Sequence, residues 1–445
     1  MKPDNTGFQV ALISPKGPMY RHRGGIFGKG LRYKPLTLPT LVALAPSELE
    51  IKFQCWDEGI QDVPEPISAD LVGLTVITGN AARTYELAAR FRSQGKKVVL
   101  GGPHVTLAPE DAAPHADAIV VGYAEESWPR LLRDFSRGQM ANRYDQIPGL
   151  DLAGMPFPIR SVLPKWKFLT EHVFEASRGC IHDCEFCVVP SAWGRKPFLK
   201  PPADIVEDMR RMKTRKALFI DLNIIADKEW ARSLFRALIP LRIQWYGLAT
   251  TLLCKDQALL DLVAESGCRG LLMGLESISE EALKATRKGF NRPEDYFSVV
   301  ERLHERKIAL QGCFVFGSDF DDATVFEKTA KFAIEAKIDL PRFAISTPFP
   351  GTSLYRRLEA EGRILTKDWN LYDAQHVVFQ PKKMSTQELQ EGTGMAWRAT
   401  YSWGAMWSRL KGTAAPLHVA LTTNMGYRFY AKNLDRFYTC DSGMI

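Results

Sequence analysis

The sequence predicts an α/β protein: a doubly wound parallel sheet in front, a partial (β/α)6 barrel behind it, and a mainly helical region at the end. Three observations predict it. Strands alternate with helices across the first part of the chain. After a proline-rich gap the alternation restarts and runs six times, a shortened version of the eight-fold barrel pattern. The first strand of that second series leads directly into three closely spaced cysteines, Cys180, Cys184 and Cys187. The expected divisions are residues 1–140, a linker 141–170, the barrel 171–350 and a helical substrate or lid region 351–445.

In the first part, Phe8–Ser14 is the opening strand, followed by a glycine-rich loop, Tyr20–Gly30. A short helix spans Leu38–Pro46, and Leu49–Trp56 and Asp70–Ile77 are strands. Ala81–Gln94 has helical periodicity and stops at Gly95. Lys97–Leu100 enters Gly101-Gly102-Pro103-His104, Ala116–Val121 enters Gly122, and Glu125–Arg137 is a helix. In such sheets ligands bind beyond the carboxyl ends of the strands. Those ends carry Thr78-Gly79, Gly101-Gly102-Pro103-His104 and Gly122, small residues that either let a flat ligand approach or simply make the turns.

In the second part the strands fall near 172–176, 217–221, 244–249, 270–275, 308–315 and 342–346, with helices between them. In the tail, Leu354–Gly362 and Thr386–Leu410 read as helical, and the chain from Gly412 as irregular. Trp397, Trp403 and Trp407 form a stripe of near-helical spacing, expected to pack in a core or domain interface rather than to cover an apolar substrate.

Composition narrows the class. At 445 residues, 45% hydrophobic and 24% charged, the chain is ordinary for a globular protein. No stretch reaches the roughly 18 apolar residues of a membrane span, and the start has no apolar signal region. A cytoplasmic protein is expected, and the eight cysteines, three clustered and five scattered, are not a disulfide framework. A net charge of +7 is mild, so no nucleic-acid partner is expected. The basic run Arg210–Lys216 reads as a solvated helix face, and from Lys382 onward eight Lys/Arg stand against four Asp/Glu.

The cysteine loop carries the chemistry. Three thiolates at C-x3-C-x2-C on one loop reach three corners of an iron–sulfur cube and leave one iron without a protein ligand. A structural zinc site, the first rival, wants a fourth protein ligand, and His182 lies inside the loop itself.

With an aromatic, Phe186, before the third cysteine, this motif resembles the radical S-adenosylmethionine (SAM) enzymes. The resemblance implies a 4Fe-4S cluster on Cys180, Cys184 and Cys187, whose open iron is chelated by SAM. One electron then cleaves SAM to methionine and a 5′-deoxyadenosyl radical that takes a hydrogen atom from substrate. It further implies SAM contacts. Asp221 and Asn223 would face the methionyl amine, and Glu276 with Ser277 the ribose. Gly317, Pro348 and Phe186 would lie about the adenine and the Pro-Gly turn. A doubly wound domain ahead of this barrel resembles the cobalamin-binding class, with a Rossmann-like domain holding the corrinoid at Thr78, Gly79, Gly101, Gly102, Pro103, His104 and Gly122. One departure stands out: relatives that supply an axial histidine use Asp-x-His, whereas Asp57-Glu58-Gly59 has glycine there. The lower face of a bound cobalamin would then lack histidine. Cys440 reads as a free thiol in the tail or as a methyl carrier of the kind some methylases place near their end.

The resemblance implies methylation of an unactivated carbon of a small molecule, hydrophobic or anionic, with flavodoxin or ferredoxin as electron donor. The alternative is a non-methylating radical cyclisation, ring contraction or oxidation on the same scaffold, with or without cobalamin.

Overall fold

The computed structural model describes residues 7–17, 33–147 and 149–434. The loop Tyr20–Gly30 and Cys440 lie outside the described residues. The chain divides into two compact units: residues 1–173 with 191–193 and 368–370, and the remainder.

The first unit contains β1 (Phe8–Ser14), α1 (Thr37–Ala43), β2 (Ile51–Asp57), β3 (Leu71–Thr75), α2 (Ala81–Ser93), β4 (Lys97–Gly101), α3 (Pro103–Leu107), α4 (Pro109–Ala112), β5 (Ala118–Val121), α5 (Ser127–Ser136) and β6 (Arg143–Asp145). Its sheet runs β2-β1-β3-β4-β5-β6, every pair parallel. Because strand side chains alternate between faces, Ala11 and Ile13 pack with Leu87 and Phe91 of α2, while Val10 and Leu12 pack with Trp128 and Leu131 of α5. A sheet covered on both faces needs strands that are apolar throughout, which is how β1, β3 and β4 read.

β6 was not expected, since residues 141–170 read as linker. It pairs with β5 from Ile119↔Arg143 to Val121↔Asp145. Its one buried side chain is Tyr144, whose hydroxyl donates to Asp134, so its flanking charges hid it. The rest of the stretch is pinned by Lys34, which is buried and donates to the carbonyls of Arg160 and Leu163 and to Glu171.

The second unit contains β7 (Val173–Phe174), β8 (Ser177–Arg178), α6 (Val188–Trp193), β9 (Phe198–Leu199), α7 (Pro202–Arg211), β10 (Lys216–Phe219), α8 (Lys228–Leu238), β11 (Gln244–Leu248), α9 (Gln257–Glu265), β12 (Cys268–Glu276), α10 (Glu280–Ala285), α11 (Tyr296–Glu305), β13 (Ala309–Phe316), α12 (Val325–Glu335), β14 (Arg342–Ile345), α13 (Ser353–Ala360), α14 (Thr386–Thr400), α15 (Trp403–Leu410) and α16 (Leu417–Lys432). Strand order is β7-β10-β11-β12-β13-β14, and each pair from β10 onward is parallel. This is the expected six-stranded partial barrel.

The tail differs from expectation twice. The helix read over 386–410 breaks at Tyr401, and Ser402 caps a new one by accepting from the Ala405 amide. The chain from Gly412 is not irregular but holds the 16-residue α16. Trp397 is the core tryptophan: it is buried and its indole donates to Phe343 of β14. Trp403 and Trp407 are half exposed, against the expectation of packing. Among the described residues no helix is long and apolar enough to cross a membrane.

The buried carboxylate of Asp339 ties this tail to the barrel. It takes Leu310 N at 2.8 Å and His304 Nε2 at 2.8 Å on one oxygen, and Thr413 Oγ1 at 2.6 Å and Ala414 N at 3.2 Å on the other. Asp339→Ala leaves those buried groups unpaired and should lower unfolding stability by on the order of 3 kcal/mol. Urea unfolding measures it, and a loss below about 1 kcal/mol would refute the tie.

Candidate active site

The three cysteines lie between β8 and α6, on a loop with little regular structure of its own. Its geometry is therefore set by its neighbours. Gly179 opens it at φ +82°, and Cys187 closes it by donating its amide N–H to the Cys184 carbonyl at 3.1 Å. The turn after α10 holds one side: Glu185 N donates to Thr286 O at 3.1 Å, Arg287 pairs with Asp183 at 2.8 Å, and His182 stacks on Phe290 at 4.2 Å. Helix α13 holds the other, where Arg357 forks onto both carboxylate oxygens of Glu185 at 2.6 and 3.2 Å.

All three thiols line a cavity of about 300 Å³ at the carboxyl ends of the barrel strands. Burial pushes the Cys184 thiol up to about 11 and Cys187 up to about 12, with Lys288 opposing in each. Free, they are therefore thiols, and loading with metal must drive the protons off. Three thiols on one cavity wall are the donor set of an iron–sulfur cluster with one iron left open.

The cavity wall is mostly apolar, with Leu222, Leu248, Leu272, Val315 and Ile345 from successive strand ends. Its polar features are few. Glu276 sits at φ +66° on the last position of β12, just past a register shift. Lys288 pairs with it, and both side chains are nearly buried. Burial opposes the Lys288 charge, but Glu276 and the Cys184 and Cys187 thiols raise its pKa above the ordinary lysine value. Gly274 makes room for the pair, since a Cβ there would fall 2.6 Å from Lys288 Nζ. Asn291 and Tyr296 hold the strand end by donating to the carbonyls of Gly274 and Leu275. On the cavity wall the buried Thr250 Oγ1 has no partner; Asn223 Oδ1 is unpaired too, and although Asn223 does not line the cavity its Nδ2 lies 4.0 Å from Cys180 Sγ. A cavity wall with an unpaired hydroxyl, a carboxylate and three thiols has donors that suit a cluster and a zwitterionic, ribose-bearing ligand.

Several expected contacts fall elsewhere. Asp221 does not face the cavity: its carboxylate accepts from Ala176 N at 3.1 Å, from Ser177 Oγ at 2.6 Å and from Ser177 N. It positions the strand leading into the cysteine loop. Ser277 turns its hydroxyl to the Ser279 amide at 3.0 Å. Pro348 is buried between two residues that line the cavity, Thr347 and Phe349, and does not line it itself. Gly317 borders a second hollow of about 330 Å³, shared with Phe186 and Ser346. Phe186 lines both hollows. Lys288, Thr250 and Arg357 were missed, and only the glycine break after Lys288 marked that turn in the sequence.

In the first unit Thr78, Gly79, Gly101, Gly102, Pro103, His104 and Gly122 do gather at the carboxyl ends of β3, β4 and β5. Thr78 and His104, however, are spent on each other. His104 is fully buried, with Nδ1 3.2 Å from Thr78 Oγ1 and Nε2 3.0 Å from Asp111. Both His104 nitrogens are thus taken, which corrects the expectation for His104, and the Thr78 hydroxyl is buried against it. Gly102, at φ +121°, is required by the fold, because a Cβ would lie 2.7 Å from the Val76 carbonyl. The fit to a corrinoid therefore rests on a sheet edge of small residues and backbone groups.

Residues 54–132 match the family model described as B12 binding domain, and residues 174–332 that of the radical SAM superfamily. The bacteriochlorophyllide d C-12(1)-methyltransferase of Chlorobaculum tepidum is 31% identical over 391 residues, covering 85% of each chain. The C-8(2)-methyltransferase of the same organism is 30% identical, over 83% of this chain and 86% of the relative. A solved structure of the cobalamin-dependent SAM radical enzyme OxsB, with aqua-cobalamin and SAM bound, shares the fold at a TM-score of 0.68 and 14% identity, over 97% of this chain and 73% of that one.

Burial raises the Asp221 carboxyl to about 6 from an ordinary 3.8, with the Ser177 and Ala176 donors opposing. The folded state then holds that proton more tightly than the unfolded one. Asp221 thus lowers stability as pH rises from about 4 to about 6, by on the order of 3 kcal/mol in full above that. Asp221→Asn removes this term. Urea unfolding of the metal-free proteins at pH 4.5 and 7 should show the variant gaining on the wild type as pH rises; parallel profiles would refute it.

Proposed function

The chain belongs to the cobalamin-dependent radical SAM enzymes, with a 4Fe-4S cluster, SAM and cobalamin as cofactors, and from that premise we propose that it methylates an unactivated carbon on a tetrapyrrole macrocycle. The observation that carries the substrate class is the 31% identity, running through both modules, to a protein named for methylating bacteriochlorophyllide d. The wall of the barrel cavity supports radical chemistry of this kind, since an apolar lining keeps water and its hydrogen-bond competition away from a reactive centre.

Cys180, Cys184 and Cys187 hold the cluster. Asn223 and Thr250 offer oxygens to the ammonium and hydroxyls of SAM, Glu276 takes the ribose and Phe186 borders the base. When bound, the cluster and SAM supply hydrogen-atom abstraction and the corrinoid supplies the methyl group. The chain's own part is placement. Glu185, pinned by Arg357 and Thr286, fixes the thiol loop. Lys288 pairs with Glu276 and lowers the cost of the Cys184 and Cys187 thiolates. Reducing electrons come from a flavodoxin- or ferredoxin-type donor, and the working compartment is the cytosol.

Cys184→Ala should abolish the cluster's visible absorption and reductive SAM cleavage, while the protein stays folded; retained iron and cleavage would refute the ligand assignment. The reaction is tested with reconstituted enzyme, cobalamin, SAM, a low-potential reductant and bacteriochlorophyllide d. S-adenosylhomocysteine and 5′-deoxyadenosine should accumulate in equal amounts with a product heavier by one methylene. Deoxyadenosine without S-adenosylhomocysteine would replace methylation with a non-methylating radical reaction.

A further inference from the structure

We propose that the face formed by α15 and α16 docks on an anionic lipid surface. These helices bury two polar side chains and leave several large apolar ones outside. Arg409 is buried and donates to the carbonyls of Ile338, Asp339 and Thr400, and Asn424 is buried and donates to Ala420, beside the inward-packed Met406, Leu410 and Tyr430. Trp403 and Trp407, one turn apart, are 50% and 51% exposed, and on α16 Met425 and Phe429 are 40% and 44% exposed. The two rows belong to one surface, because the Arg428 guanidinium from α16 lies 4.5 Å over the Trp403 ring. Isolated exposed apolar residues are normal, but a contiguous aromatic patch marks an interaction surface.

Charge selects the partner. From Thr400 to Leu434 the sequence holds no Asp or Glu, while Arg409, Lys411, Arg428 and Lys432 are basic. With Arg409 buried, the solvent side carries three cations beside its aromatics. Tryptophan with Lys and Arg is the composition of an interfacial anchor: the rings sit at headgroup depth and the cations meet anionic headgroups. A second copy of this chain fits less well, since a two-fold contact would press two cationic faces together with no counter-charge between them. The proposal does not depend on the substrate class.

Flotation of the full-length protein with vesicles tests it. It should bind phosphatidylcholine vesicles containing about a quarter phosphatidylglycerol, and bind pure phosphatidylcholine far less. Binding should weaken as salt rises. Trp403→Ser with Trp407→Ser should lower partitioning about tenfold, and Lys411→Gln or Lys432→Gln about fivefold each. Unchanged far-ultraviolet circular dichroism would show the variants folded. Absence of binding to the anionic vesicles, or equal binding by the tryptophan variant, overturns the proposal. So does a dimer in sedimentation equilibrium that the same variant dissociates, which would assign the face to a second copy.

Discussion

A loop that carries three thiols has to be held open. Left alone, a nine-residue stretch with almost no hydrogen bonding of its own would sample many conformers, and each would place the sulfurs differently. Here three distant segments fix it. Asp221 takes both amides at Ala176 and Ser177 where the chain enters. Thr286 and Arg287 take the middle, and Arg357 takes Glu185. The clamping residues come from the end of β10 just past Phe219, the turn after α10 and α13, so the cluster site exists only once those barrel elements have packed. The rest of the site inherits that order.

The Glu276–Lys288 pair follows the same logic at higher electrostatic stakes. Removing two charges from water is expensive, and their attraction repays it only where geometry is good and the remaining valences are satisfied. The fold meets those terms by spending a glycine at 274, a left-handed residue at 276 and two side chains, Asn291 and Tyr296, on the backbone of one strand end. Such outlay at one point is common at functional sites and rare in plain scaffolding. It is also why Gly274→Ala and Lys288→Met are different perturbations: one pushes the pair apart, the other leaves a buried carboxylate alone.

Most strands, the helices between them and the cysteine loop were legible because each has a short-range signature: an apolar run, a helix-stopping glycine, a fixed spacing. β6 was not, because three residues with one buried tyrosine carry no periodicity. α16 was not, because Asn424 sits among its buried residues while Met425 and Phe429 are partly exposed, so its inside–outside contrast is weak. Asp221 illustrates a different limit. A carboxylate at a strand end near a site can serve a ligand or the backbone, and only the position of the Ala176 and Ser177 amides decides. Lys288 lies twelve residues from Glu276 across a helix, a separation that no local pattern encodes.

His104 carries the last consequence. Histidine at a glycine-rich strand end invites the reading of an axial ligand, but both its nitrogens are taken by Thr78 and Asp111, and the ring is sealed from solvent. Pulling it out would leave Asp111 without the partner that, with burial opposing, holds its carboxyl down at about 2. Asp57 is no substitute: it closes its own turn by accepting from Gly59 N at 2.9 Å, at the position where a ligating histidine would stand in other corrinoid domains. A corrinoid carried by this unit would therefore be held by backbone groups and shape, and neither His104 nor residue 59 would offer it an imidazole.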